Sequence, residues 1–276
     1  MNRRAVIDLG LSATVAFIVS AIAQTPVTIR GRRWLRATSV EGYAEIRKVR
    51  REWRSLSRGD ELNQAGDEAQ TFDNARVVFS IDSNIGTVST AGETRLKVRS
   101  LSITQSSARI TELDVFRGNV RVVARRFSNP DSKLRIHTPA GISGIRGTDF
   151  ALTVDEIGKT AVATVDGAVE VSAQGESVLV EKGYKTVTIP GEPPAEPTPF
   201  KNDPSAKIRS NIRRGIAEIS GTTSPVNKVE VQGSALRVDS EGNFSARVIL
   251  RPRWKNTLKV TVTTPLGRSR AYRLST

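Results

Sequence analysis

Leu134-Arg135-Ile136-His137-Thr138-Pro139-Ala140-Gly141-Ile142-Ser143-Gly144-Ile145-Arg146-Gly147-Thr148-Asp149-Phe150-Ala151-Leu152 reads as strand, turn, strand. Leu134 and Ile136 alternate with polar residues, the period of a half-buried strand. Thr138, Pro139 and Gly141 break the run, because proline fixes one dihedral and glycine admits positive φ. Apolar residues resume at Ile142 and continue through Ile145, Phe150 and Leu152. Gly144 and Gly147 lie inside this second run, where glycine marks a bulge or a close backbone approach.

The same grammar extends upstream. Val77, Phe79 and Ile81 alternate, and Asp82-Ser83-Asn84 turns the chain. Ile85 to Val88, then Leu96 with Val98 and Leu101 with Ile103, are separated by turn residues. Ile110, Leu113, Val115, Val120 and Val122 follow. Short strands at this spacing predict an all-β fold, either a β-roll or solenoid or a sandwich-like arrangement. Val115 to Val122 and Thr164 to Val171 echo one another, each with glycine two residues before a Val-x-Val strand. A shared hairpin grammar and a true repeat both explain this.

Thr138-Pro139-Ala140-Gly141 running into Ile145-Arg146-Gly147-Thr148, with Phe150 two residues on, resembles the signature of FecR-type domains. The resemblance continues through Thr160 to Thr164 and Asp166 to Val171, closes near Lys182-Gly183, and begins at a Gly59-Asp60 turn. It implies an all-β extracytoplasmic domain over residues 58–189. The best-known members relay receptor signals through a membrane helix to a cytoplasmic sigma-factor regulator. This sequence departs from that arrangement, with no regulator segment before its apolar stretch and no later apolar helix.

Asn2-Arg3-Arg4, the apolar run Leu9 to Ala23 and the small residues Ala21 and Ala23 predict a secretory signal over residues 1–23, cleaved between Ala23 and Gln24. An uncleaved anchor is the alternative, although the run is short of the ~20 residues of a spanning helix. The expected location is therefore periplasmic or secreted. The chain has 276 residues and a net charge of +14; the leader holds two of the cations and one acid, so +13 remains without it. A surplus of that size attracts anionic partners and says nothing about fold. With no cysteine, disulfide and thiolate chemistry is excluded, and one histidine excludes a multi-histidine metal site.

Residues 24–57 form a basic segment in which Trp34-Leu35 can start a strand. Residues 190–206 hold Pro190, Pro193, Pro194, Pro197, Pro199 and Pro204, a stiff linker. Ile208, Ile212 and Ile216 at four-residue spacing predict a short basic helix over 207–218. From Ile219 the chain returns to strands. Gly221-Thr222-Thr223, the turn from Val238 to Phe244, and Asn256 to Val260 resemble the small Ig-like modules of secreted bacterial proteins, which implies a β-sandwich over 219–276.

His137 has no cysteine or second histidine with which to bind a metal. Asp239, Glu241 and Asn243 alternate as in some calcium loops, but a glycine-containing turn accounts for them. Arg58-Gly59-Asp60 is likewise read as a turn rather than an adhesion tripeptide. Arg146 and Asp149 either contact a partner or pair within the fold around a Gly147-Thr148 bulge. From Phe244 to Thr276 there are eight cations and no acid. Arg247 and Arg251 share the outward face of one strand, and Lys259 and Arg273 project from theirs, as a solvated or a docking face. No nucleophile elbow, catalytic carboxylate pair or phosphate loop is present, so no enzyme activity and no cofactor is expected. Two functions fit: a non-catalytic binding or signalling module contacting another envelope protein, or an adhesive module on an acidic envelope polysaccharide. Nucleic acid is not an expected partner.

Overall fold

The computed structural model describes residues 32–276 except 74, 84, 146, 214, 237, 240, 251–256 and 276. The expected leader with its Ala23–Gln24 cleavage site, and the candidates Arg146 and Arg251, lie outside the described residues. Among the described residues every regular element is a strand, and none is a helix.

Two sheets share one strand. The first sheet runs, neighbour by neighbour, β4 (Glu61–Leu62), β1 (Leu35–Glu41), β6 (Arg76–Ile81), β7 (Gly86–Thr90) and the second half of β9 (Arg109–Ala124). It continues through β12 (Asp149–Val154), β13 (Thr160–Asp166), β16 (Tyr184–Thr188) and β17 (Thr198–Pro199). The second sheet runs β3 (Arg54–Ser55), β2 (Ala44–Arg47), β5 (Glu68–Thr71), β8 (Arg95–Ile103) and the first half of β9. It continues through β10 (Lys133–Thr138), β11 (Gly141–Ile145), β14 (Ala168–Ala173) and β15 (Glu176–Glu181). Only the β9–β10 pairing in these ladders is parallel.

Both sheets feed one hydrophobic core. Leu35, Phe79, Val122, Phe150 and Leu152 of the first sheet meet Ile46, Leu96, Leu113, Ile136 and Val169 of the second. Of the two architectures the sequence allows, this is the sandwich. Leu35, Ala37, Ala44, Ile46 and Leu56 are all buried, so the basic segment supplies core strands.

The chain crosses between sheets at residues with left-handed backbone. β9 changes sheet at Gly118 (φ 97°), β11 hands over to β12 at Gly147 (φ 78°), and β13 to β14 at Gly167 (φ 78°). The echo between Val115–Val122 and Thr164–Val171 is this crossing, a glycine followed by a Val-x-Val strand that enters the other sheet.

The proline-rich stretch lies along β16. Thr198 and Pro199 pair with Lys185 and Tyr184, and Ala195 N–H donates to the Val187 carbonyl. Beyond it, the helix expected over 207–218 is a hairpin instead. β18 (Ala206–Arg213) pairs residue by residue with β19 (Ile216–Thr223). Four-residue spacing places isoleucines on one face of a strand as well as on one face of a helix. The left-handed Gly215 (φ 77°) in the bend decides for the hairpin.

β18, β19 and β22 (Asn243–Ile249) make a three-stranded third sheet. β21 (Ser234–Leu236), β20 (Lys228–Val231), β23 (Thr257–Thr263) and β24 (Ser269–Ser275) make the fourth. Ala217, Ile219 and Phe244 pack against Val229, Val231, Leu258, Val260 and Val262 in a second core. This small sandwich rests against the outer side of the first sheet. Ala151, Ala161 and Ala163 alternate with core residues on that outer side, yet all are buried. Their short side chains let a further layer approach. Lys159 Nζ donates across the seam to the carbonyls of Val238 and Asp239, and Lys185 Nζ to Ser224 Oγ at 2.8 Å. Burial pushes the Lys185 ammonium pKa down.

Candidate interaction surface

The motif that opens the sequence reading builds a corner. Thr138 Oγ1 accepts from Gly141 N–H at 3.2 Å, closing the Thr-Pro-Ala-Gly turn, and from Thr160 Oγ1 at 2.8 Å. The second contact ties the tip of the β10–β11 hairpin, in the second sheet, to the start of β13, in the first. Pro139 packs against the bend at Gly158, where an added Cβ would meet the proline ring. A Cβ on Gly147 would strike the Arg126 backbone, and one on Gly167 would come within 2.9 Å of the Gly147 carbonyl oxygen. A Cβ on Gly141 would come closer still to the Ser172 carbonyl oxygen, at 2.5 Å. Thr148 is buried, and Phe150 is wholly inside the core.

Asp149 is taken up within this corner. Arg121 donates to both its carboxylate oxygens, Nε at 2.9 Å and Nη2 at 2.7 Å. That pairing raises the guanidinium pKa of Arg121. Asp60 of the Arg58-Gly59-Asp60 turn is similarly engaged by Arg54, at 2.8 and 2.7 Å. The Asp239–Asn243 loop closes on itself, with Asn243 N–H donating to Asp239 Oδ1 at 2.7 Å. No cluster of potential metal ligands occurs among the described residues.

His137 sits on the outer face of the second sheet, 3.6 Å from Glu112. Its pKa is lowered, first by burial and then by the nearby Arg99 charge, against the pull of Glu112 and Asp114.

The C-terminal cations divide between two opposite faces. Lys259 and Arg273 are direct cross-strand neighbours on the outer face of the fourth sheet. Arg247 projects from the third sheet, on the far side of the second core, where it pairs with Glu218 at 3.1 Å. The three do not form one surface.

A cluster that the sequence reading did not single out lies on the second sheet. The Arg47 guanidinium stands 4.8 Å from the centre of the half-buried Trp53 ring, and that of Arg95 stands 5.8 Å away. Arg95 also lies 5.5 Å from the Phe116 ring, which is 43% exposed. Glu68 accepts from both arginines, at 2.7 Å from each Nη2. Burial works against the Glu68 charge, but the hydrogen bonds from Arg95 and Arg47 outweigh it and hold its pKa below the usual range. Each cation–π contact at such a site contributes about 0.5–1 kcal/mol. The stack pins the two-residue strand β3 to the sheet and leaves aromatic edges and guanidinium groups facing outward. Nothing local in the sequence joins Arg47, Trp53, Arg95 and Phe116; only the pairing of β3, β2, β5, β8 and β9 in order does so.

Two depressions also mark the surface. A cleft of about 150 Å³ follows the seam between the sandwiches, lined by residues that include Arg117, Asp155, Asn227 and Leu236. A shallow pair lies over the third sheet. No helix long and apolar enough to cross a membrane occurs among the described residues.

No curated protein matches the chain in sequence. Among solved structures, a candidate anti-sigma factor from Parabacteroides distasonis ATCC 8503 is similar in two determinations. The TM-scores are 0.40 and 0.39 and the identities 12% and 13%. In both, the similarity covers 48% of this chain and 59% of that one. Residues 67–170 match the family described as FecR protein, the stretch that runs from β5 into β14 and holds the Thr138–Phe150 corner.

Proposed function

We propose that this chain is an exported, non-catalytic FecR-domain protein that acts as a binding or signalling module in the cell envelope through protein–protein contacts. The family match supports the regulatory part of this reading, and the apolar leader at residues 1–23 supports export. The observation that carries the contact reading is the stack of Arg47, Trp53, Arg95 and Phe116. Trp, Phe and Arg are enriched at the centres of protein interfaces, and Trp and Arg dominate among residues whose truncation costs most. Thr138, Pro139, Gly141, Gly147, Thr148 and Phe150 of the family motif, by contrast, hold the corner.

The test is capture of envelope proteins by the tagged full chain, with a high-salt wash. A specific partner should survive the wash with the wild type. Phe116→Ala and Trp53→Ala should each weaken capture at least tenfold, a loss of about 1.4 kcal/mol or more. Full capture by both variants would overturn the assignment of this surface. N-terminal sequencing of the natural protein tests export separately; an intact Met1 in the cytosol would end that part.

A second reading is an adhesive module on an acidic envelope polysaccharide. It is favoured by the run from Phe244 to Thr276, which holds eight cations and no acid.

A further inference from the structure

We infer that the outer face of the third sheet, rather than the Lys259–Arg273 face, is a binding surface for an extended acidic polysaccharide. This rests on the polysaccharide reading and gives it a location. Strand pairing fixes the face. Lys207 lies beside Thr222 and Asn243, Arg209 beside Ser220 and Ser245, and Asn211 beside Glu218 and Arg247. All nine are exposed. Arg213 continues the first column.

The charge is one-sided. Lys207, Arg209, Arg213 and Arg247 face a single acid on these strands, Glu218, which Arg247 already engages. Lys207, Arg209 and Arg213 have no ion-pair partner among the described residues. Residues along a strand rise about 3.3 Å each, so these three span about 20 Å in a line. That length suits a polymer with repeated anionic groups better than one phosphate. Beside the line run Thr222, Ser220, Asn243 and Ser245, whose hydroxyls and amides match the hydroxyls of a sugar. The two shallow depressions lie over these residues, and the one acid that lines them besides Glu218, Asp239, already accepts from Asn243. No aromatic ring is among the outward residues of the three strands, so the face lacks the platform on which bases of single-stranded nucleic acid stack. The Lys259–Arg273 face adds only Lys228, which Glu230 engages, and offers no such line.

The probe is alginate, a polyuronate, immobilised beside neutral dextran, with single-stranded DNA as a further polyanion. The full chain should bind alginate, release with rising salt, and ignore dextran. The triple variant K207E/R209E/R213E should weaken alginate binding at least tenfold, and the milder K207Q/R209Q/R213Q should weaken it in the same direction. Unfolding midpoints for both, compared with wild type, separate lost binding from lost folding. K259E/R273E should leave alginate binding within about twofold. If K259E/R273E abolishes binding and the third-sheet variants do not, the location is wrong and the polysaccharide reading stands. If wild type does not bind alginate, or binds DNA equally well, both fall.

Discussion

Replacing Asp82 by alanine should destabilise the first sandwich more than any comparable change at its surface. Asp82 is buried and gathers the Nε of Arg33 at 3.0 Å, the Nη1 of Arg109 at 3.0 Å and the Trp34 N–H at 3.1 Å. Arg33 is buried as well, with 3% of its side chain exposed. Burial pushes the Arg33 pKa down and Asp82 pulls it back up, yet an arginine stays charged in any accessible pH range. Asp82→Ala therefore strands a buried cation, a loss of about 3–5 kcal/mol. Arg109 cannot compensate, because it carries the same sign.

Arg33→Met is the informative partner. It leaves Asp82 with Arg109 and the Trp34 N–H, but removes the hydrogen bonds that Arg33 gives to the Ser102 and Ile110 carbonyls and the Thr111 hydroxyl, at 3.1, 2.7 and 2.8 Å. The methionine fills part of the space, and the expected cost is about 2 kcal/mol. The double variant should be no worse than Asp82→Ala alone, since the stranded cation has gone. Urea unfolding of the full chain, read as midpoints at constant slope, measures all three. A cost below about 1 kcal/mol for Asp82→Ala, or additive losses in the double variant, would refute the reasoning.

His137 should make the fold acid-sensitive. Its folded pKa lies below the ordinary 6.5, so the unfolded chain takes up the proton first as pH falls. The full contribution is present above pH 6.5, declines below it, and levels off once the folded imidazole protonates. His137→Gln should flatten that decline in urea midpoints, and an unchanged decline would refute the assignment to His137. Gly147→Ala should cost about 2–3 kcal/mol, combining left-handed backbone with collision against Arg126. Gly183→Ala, at φ 82° with open space around it, should cost only about 1 kcal/mol, and thermal midpoints compare the two.

The all-β class was legible because alternation shows directly which residues of a strand face inward. Val77, Phe79 and Ile81 do so, and each is buried. The turn at Thr138–Gly141 was legible from proline and glycine. Alternation does not tell which sheet a strand joins. That is why Arg247 and Lys259, both read as outward, could not be placed on opposite faces. It is also why the Arg33–Asp82 pair, 49 residues apart, left no trace. The 207–218 hairpin was missed because its isoleucine spacing suits helix and strand alike.

β9 is a single stretch of backbone with ladder partners on both sides of the core. Melting either layer would have to strip hydrogen bonds from a strand the other layer still needs. The first sandwich should accordingly lose its amide protection as one unit in hydrogen exchange, with the slowest protons along Arg109–Ala124, and a partner that clamps any part of that strand would stiffen both layers at once.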